Sequence, residues 1–367
     1  MTMRRIRVLL VEDSLTIRRR LSDVLTADPE FEVVGEAENG KRAIELCLSL
    51  SPDVITLDMI LPIMTGLDAT EHIMAHCPTP ILVVSSSVNR GELFKTYDAL
   101  AAGAVDVLEK PRGDEPDGDW ERRFRSAVKL VSRIKVITHP RARLGAYGRP
   151  SAFAPRSNAS VAAPAPAPAS SRRPLQIAAL GASTGGPGAL VTVLRALPAP
   201  FPVPVVIVMH IDEPFGGPFA DWLSEQTRHP VSYPADGELV RSYAGRVAMA
   251  PPGRHLTVSG KRFSLTTAPP RHSCRPSIDV LFEGLAREYG ASVAACLLTG
   301  MGRDGAPGLL EIRRAGGLTI AQDENTSIVY GMPREAVLLG AAERVLPIEA
   351  IGDALAALVS SSDGVES

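Results

Sequence analysis

Gln176-Ile-Ala-Ala-Leu180 runs straight into Gly181-Ala-Ser-Thr-Gly-Gly186. A short apolar run that ends in a Gly-x-Ser-x-Gly turn lifts a hydroxyl off the end of a strand, and the flanking glycines let the turn tighten. Ser183 is therefore a candidate nucleophile, and a serine needs a base and an orienting acid. Both occur in matching settings. His210 closes the apolar run Val205-Val-Ile-Val-Met-His210, and Asp304 follows Ser292-Val-Ala-Ala-Cys-Leu-Leu-Thr-Gly-Met-Gly-Arg-Asp304. Strands ending at these points in a parallel sheet gather their C-terminal ends along one crevice, where ligands bind. The expected set is Ser183 as nucleophile, His210 as base and Asp304 as the acid that orients the imidazole. The order Ser, His, Asp differs from the familiar serine-hydrolase orders, so geometry must decide. Asp212, two residues past His210, is a rival acid. Backbone N–H groups of the Thr184-Gly185-Gly186 turn would stabilise an oxyanion, and the glycine-rich turn Thr299 to Gly305 would bring the Met301 backbone to the substrate. A phosphate-cradling loop is the competing reading of the Ser183 turn, but the full Gly-x-x-x-x-Gly-Lys-Ser/Thr pattern is absent.

The 367 residues suffice for two domains, and 45% hydrophobic with 22% charged residues describes a globular chain. A net charge of −2 favours neither nucleic acid nor an anionic membrane. No apolar run reaches the roughly 20 residues of a membrane span. The start Met-Thr-Met-Arg-Arg has no signal-peptide core. Cys47, Cys77, Cys274 and Cys296 are dispersed, which argues against a disulfide framework. The expected location is the cytoplasm, without membrane insertion.

Residues 150 to 174 are dominated by Ala, Pro and Ser. Alternating Ala-Pro stiffens a chain toward polyproline II and buries almost nothing, so residues 138–174 are expected to be a linker. It separates domains at 1–137 and 175–360. In the first, strands at Ile6–Val11, Phe31–Glu36, Asp53–Leu57, Ile81–Ser85 and Ala104–Leu108 alternate with helical spacings, the last helix running from about Trp120 to Ile137. In the second, strands are expected near 176–180, 205–210, 246–250, 293–298 and 318–322. Alternation of this kind implies parallel sheets with right-handed crossovers. The fold class is α/β: an N-terminal flavodoxin-like domain and a C-terminal doubly wound, mostly parallel hydrolytic domain.

A second site belongs to the first domain. Glu12 and Asp13 follow its first strand, Asp58 the third, Ser85 ends the fourth and Lys110 follows the fifth. Carboxylates brought that close repel unless a cation joins them, and oxygen ligands with open positions suit Mg²⁺. Such a metal also offsets the charge of an incoming phosphoryl group. Asp58 would then form an acyl phosphate, with Lys110 and the Ser85 hydroxyl on its oxygens. His72 and His76 are spaced i, i+4, but no suitably placed third ligand completes a metal site there.

Val11-Glu12-Asp13-Ser14, Asp58-Met-Ile-Leu-Pro62 with Gly66, Ser85 and Lys110-Pro111 resemble the receiver domain of two-component response regulators over residues 4 to 137. The resemblance implies phosphorylation of Asp58 by a histidine kinase, with Mg²⁺ held by Glu12, Asp13, Asp58 and the Ile60 carbonyl. Val107 stands where receivers often carry an aromatic switch residue, so an aromatic-rotamer switch is not expected. The second domain resembles the catalytic domain of chemotaxis protein-glutamate methylesterases, the CheB family. The matching runs are Gly181–Pro187, Met209-His210, Ala250-Pro-Pro-Gly253, Pro276-Ser-Ile-Asp-Val-Leu-Phe282, Leu298–Ala306 and Gly331-Met-Pro333. That resemblance implies the Ser183, His210, Asp304 triad, substrate contacts at Thr184 and Met301, and methyl-accepting chemoreceptors as substrate. It further implies hydrolysis of glutamate methyl esters, deamidation of receptor glutamines, no cofactor for the ester chemistry, and blockade by the receiver relieved on phosphorylation. Arg271-His-Ser-Cys-Arg275 is expected at the rim, its arginines facing acidic receptor helices. The same chemistry in a non-motility array and a non-catalytic, phosphorylation-dependent docking module are the alternative readings.

Overall fold

The computed structural model describes residues 4–86, 89–111, 118–134, 136, 173–211 and 213–360. The expected linker lies almost wholly outside them, as does Asp212. The first unit contains β1 (Ile6–Val11), α1 (Leu15–Thr26), β2 (Phe31–Ala37), α2 (Gly40–Leu50), β3 (Val54–Leu57), α3 (Gly66–His76), β4 (Ile81–Ser85), α4 (Arg90–Ala101), β5 (Asp106–Glu109) and α5 (Asp119–Val131). Ser14, Asn39, Thr65 and Asn89 stop the preceding segments and start α1 to α4, each side-chain oxygen accepting an N–H of the first turn. Strands β3 and β4 are buried along their whole length, as a strand covered on both faces must be. The sheet is parallel in the order β2-β1-β3-β4-β5. Its order reverses between β1 and β3, and the loops after those strands carry Glu12, Asp13 and Asp58.

The second unit contains β6 (Ile177–Ala182), α6 (Gly186–Ala196), β7 (Val205–Met209), α7 (Glu213–Gly216), α8 (Phe219–Gln226), β8 (Val231–Ser232), β9 (Val247–Met249), β10 (His255–Ser259), β11 (Arg262–Thr266), α9 (Ile278–Tyr289), β12 (Val293–Leu297), α10 (Ala306–Arg314), β13 (Leu318–Gln322), α11 (Met332–Leu338), β14 (Arg344–Leu346) and α12 (Ile348–Ser360). Seven parallel strands run β14-β13-β12-β6-β7-β9-β8, while β10 and β11 form a separate antiparallel hairpin. The order reverses at β6, between β7 and β12. The loops after these three strands bring Ser183, His210 and the Thr299–Asp304 turn to one end of the sheet.

Some boundaries moved. The last receiver helix ends at Val131 rather than near 137, and β5 begins at Asp106 rather than Ala104, because Ala104 and Val105 lead into the sheet from the turn at Gly103. The two units share packing. Leu93 and Tyr97 of α4 belong to the same buried cluster as Phe215, Phe219 and Trp222 of the second unit. Tyr97 packs edge-on to Phe219 with ring centroids 5.2 Å apart, and its hydroxyl donates to the Phe215 carbonyl. Trp222 Nε1 donates to Asp98 at 2.8 Å, and Arg90 pairs with Asp221 at 3.4 Å.

Candidate active site and phosphoacceptor site

Ala182 and Met209 are paired residues of adjacent strands, so Ser183 and His210 leave the sheet side by side. The His210 N–H donates to the Ala182 carbonyl, and the Ser183 N–H to the Thr299 carbonyl, both at 3.0 Å. Gly185 has φ +77°, and a Cβ there would lie 2.6 Å from Ile328 Cβ, so both the turn and its packing require glycine. Helix α6 starts at the next residue without a side-chain cap; the Gly186 N–H donates to the Ser183 carbonyl at 2.7 Å, and Pro187 has no N–H.

His210 Nε2 lies 2.9 Å from Asp304 Oδ2. Asp304 also accepts from Ser277 Oγ and the Ile278 N–H, each at 2.7 Å, and from the Asp279 N–H at 3.3 Å. The carboxylate thus sits on the N-terminus of α9, where unpaired N–H groups and the helix dipole favour negative charge. Burial alone pushes its pKa up, but the bonds to His210, Ser277 and Ile278 prevail and hold it below the usual carboxylate range. Burial lowers the His210 pKa, and bonds to Asp304 and Cys274 outweigh this, lifting it to about 9. The second imidazole nitrogen, Nδ1, faces Cys274 Sγ at 3.6 Å. Ser183 and Thr184 line the same cleft as His210 and Cys274. Among the described residues, the side-chain bonds of His210 run to Asp304 and Cys274 and not to Ser183.

The opposite wall of this cleft is the receiver. Val105 to Leu108 around β5, with Arg123, Ser126 and Ala127 of α5, face Ser183, Pro187, His210 and Cys274. Val107, at the position where receivers often carry an aromatic switch residue, is part of that wall.

At the first unit's switch point, Lys110 Nζ lies 2.8 Å from both Glu12 Oε2 and Asp58 Oδ2. Burial raises the pKa of both carboxyls while Lys110 opposes it, and the two carboxylates keep the Lys110 ammonium above its ordinary value against burial. Oxygens of Glu12, Asp13 and Asp58 come within 4.8 Å of one another. The three-carboxylate donor set and its spacing fit a small hard cation. Backbone N–H groups of Met59 and Ile60 bond the Asp58 carboxylate. The Ser85 hydroxyl is buried and donates to the Ser86 carbonyl at 3.4 Å.

Two family models match the chain: the response regulator receiver domain over residues 8–116 and the CheB methylesterase over 178–355. A protein-glutamate methylesterase/protein-glutamine glutaminase of Anaeromyxobacter dehalogenans is 43% identical over 352 residues, covering 96% of each chain. One of Nitrosospira multiformis is 42% identical over 358 residues, covering 97% of each. The chain belongs to the protein-glutamate methylesterase/protein-glutamine glutaminase family. The crystal structure of the Thermotoga maritima CheB methylesterase catalytic domain is 34% identical over 50% of this chain and 99% of that one, with a TM-score of 0.48.

Against this family pattern, the expected residues distribute unevenly. Ser183, Thr184 and His210 share the cleft, and Asp304 is bonded behind the imidazole. Met301 is half-exposed on the Thr299–Asp304 turn and does not line the cleft with Ser183. The basic rim expected at 271–275 is only partly a rim. Arg271 pairs with Glu283 at 2.7 Å and His272 with Asp279 at 3.1 Å, whereas Cys274 and Arg275 line the cleft. His72 and His76 stack on each other in α3. No helix among the described residues is long and apolar enough to cross a membrane.

Other residues that matter here carried no separate signal. Thr299 Oγ1 donates to the Thr184 carbonyl at 2.9 Å, and Gln322 Oε1 accepts the Thr299 N–H at 2.8 Å, so two buried side chains brace the nucleophile turn. Ser277, which holds Asp304, fell within a quoted run but was assigned no role. Its partner lies 27 residues away, beyond any local pattern.

Proposed function

We propose that Ser183 is the nucleophile of a phosphorylation-regulated hydrolase that demethylates glutamate methyl esters, and deamidates glutamines, on the cytoplasmic helices of methyl-accepting chemoreceptors. One observation carries the reading: Asp304 holds Nε2 of His210, which leaves Nδ1 for the cleft that Ser183 lines. With Nε2–H donating to the Asp304 carboxylate, Nδ1 is the basic nitrogen. It takes the Ser183 proton as Oγ attacks the ester carbonyl. The tetrahedral oxyanion meets backbone N–H groups of the Thr184-Gly185 turn, methanol leaves with a proton from His210, and water attacks the acyl-enzyme with His210 again as base. Catalytic hydrogen bonds are often open without substrate, so an open Ser183–His210 pair is compatible with this role. Thr184 and Met301 are assigned to the substrate side.

Regulation is read from the receiver wall. Glu12, Asp13, Asp58 and the Ile60 carbonyl would hold Mg²⁺, which offsets phosphoryl charge when bound. The Asp58 carboxylate attacks the phosphoryl group of a histidine kinase, breaking the P–N bond. Lys110 then turns from the free carboxylates to phosphoryl oxygens, and the Ser85 hydroxyl donates to one of them. Ser85 ends the strand before α4 and Lys110 follows β5, so both adjoin elements that cover the esterase. Their rearrangement releases α4 and β5 from the catalytic unit, with residues 138–174 as tether. The chain acts in the cytoplasm, where the receptor helices and the kinase are.

The test is methanol release from methylated receptor, with and without a small phosphodonor and Mg²⁺. Release stimulated by the phosphodonor and abolished by Ser183→Ala supports the reading. Release that survives Ser183→Ala sinks it.

A further inference from the structure

We propose that His210 Nδ1 and Cys274 Sγ form a zinc-binding site in the cleft, and that a thiophilic divalent cation seated there shuts off the esterase. The inhibition, though not the binding, rests on the reading of His210 as the general base.

The separation of the two donors is 3.6 Å. Bonds of about 2.0–2.1 Å to nitrogen and about 2.3 Å to sulfur, at a tetrahedral angle, set such donors about 3.6 Å apart. The pair is therefore spaced for one ion without rearrangement. The outer partner that histidine ligands use is also in place. Nε2 is held by the Asp304 carboxylate, whose oxygens are themselves fixed by Ser277 and the first N–H groups of α9. That arrangement orients the ring and turns the Nδ1 lone pair toward the sulfur.

The thiol is placed by a strained turn. Arg271 and Cys274 exchange backbone bonds at 3.0 and 2.8 Å, and the two residues between them, His272 and Ser273, both have positive φ, 49° and 64°. Neither is glycine or asparagine, the residues such a turn favours. A backbone of this kind costs free energy that the surrounding structure must offset, and here it leaves a sulfur facing the imidazole. Asp304 completes a His–Cys–Asp group with ligand atoms within 4.8 Å. Because its oxygens are already engaged, it serves behind the ring, and water takes the remaining positions.

Ligand chemistry sorts two cations within one chain. Thiolate and imidazole select zinc, whereas the oxygen-only set of Glu12, Asp13 and Asp58 suits Mg²⁺. The same chain would be activated through one site and silenced at the other. An ion on Nδ1 occupies the lone pair that must accept the Ser183 proton.

The experiment uses the chelator-stripped full chain. Zinc is titrated against methanol release, and Co²⁺ serves as a spectroscopic probe, since only a thiolate ligand gives its near-ultraviolet charge-transfer band. Inhibition by zinc, insensitivity to the same concentrations of Mg²⁺, and a thiolate–cobalt band are expected. In Cys274→Ser and Cys274→Ala the half-inhibiting zinc concentration should rise by at least the roughly 10- to 100-fold that losing a ligand's outer partner costs, and the band should vanish. Each variant is compared with its own zinc-free rate, so basal differences drop out. Equal zinc sensitivity in all three proteins, or no band in the unsubstituted chain, overturns the site. A band without inhibition overturns the pairing with His210. Methanol release that survives Ser183→Ala defeats the esterase reading instead, and leaves the cobalt result standing.

Discussion

Asp304 reaches His210 and the first turn of α9 with one carboxylate: Oδ2 is 2.9 Å from the imidazole Nε2 and 2.7 Å from the Ile278 nitrogen. The acid that orients the base is thereby anchored to a helix end rather than to a side chain alone. Asp304→Asn keeps the volume but sets an amide N–H₂ among donors. It should cost about 10⁴ in kcat, the scale of losing an orienting carboxylate, and also lower the melting temperature. Methanol release with a parallel melt reads both. A kcat within a few fold of the unsubstituted chain would remove Asp304 from its role.

The same contacts set a pH dependence. The base must be neutral to act, and its pKa of about 9 means it is largely protonated at neutral pH. In chelator, kcat/KM should therefore climb as pH rises through about 9, rather than level off near the ordinary histidine value. Folding has the opposite slope. The native imidazole holds its proton above the unfolded pKa, so its stabilisation is complete below that value and is lost as pH rises through about 9. Cys274→Ala removes one of the contacts that raise the pKa and should shift the rate profile to lower pH. A profile centred at the unperturbed value in both proteins would contradict the assignment.

Gly300 tests how tightly the nucleophile is placed. A Cβ there would lie 2.7 Å from Ser183 Cβ and 2.6 Å from Met332 Cε. The methionine can yield, but the serine stem cannot without moving Oγ. Gly300→Ala should reduce kcat by about 100-fold, the cost of displacing a reacting group by about 1 Å. The KM should change far less. Steady-state kinetics on methylated receptor decide it, and an unchanged kcat would show the turn to be compliant.

What could be read from the chain was the placement of single residues at strand ends. Ser183, His210, Glu12, Asp13 and Asp58 each follow an apolar run long enough to be a buried strand, and a parallel sheet then collects them with Lys110 at the end of the less buried β5. The function of Asp304 was legible only in part. Its anchors at Ile278 and Asp279 are backbone N–H groups, which any residue supplies. The glycine-rich turn around Met301 has no periodicity to say which of its residues faces the substrate. The short edge strands β8 and β14 and the hairpin of β10 and β11 lack the long apolar runs that marked the others. The receiver wall was invisible for a further reason. Tyr97 meets Phe215, 118 residues later, and no local pattern predicts that pairing.

That wall yields the final prediction. Tyr97 is fully buried against Phe219 and Trp222, with its hydroxyl on the Phe215 carbonyl, although it belongs to the receiver. Removing a ring of this size from a packed interface costs about 3–5 kcal/mol, and each 1.4 kcal/mol is about tenfold in an equilibrium. Tyr97→Ala should therefore open the two units and raise methanol release without phosphodonor by about tenfold or more. Added phosphodonor should then stimulate little. Tyr97→Phe loses only the hydroxyl and should fall between the two. Deleting residues 1 to 174 should likewise raise the basal rate. The point variants remain informative if that truncation, with Phe215, Phe219 and Trp222 uncovered, proves insoluble. A basal rate unchanged in Tyr97→Ala, with full stimulation retained, would mean that the contact between α4 and the catalytic unit does not restrain the enzyme.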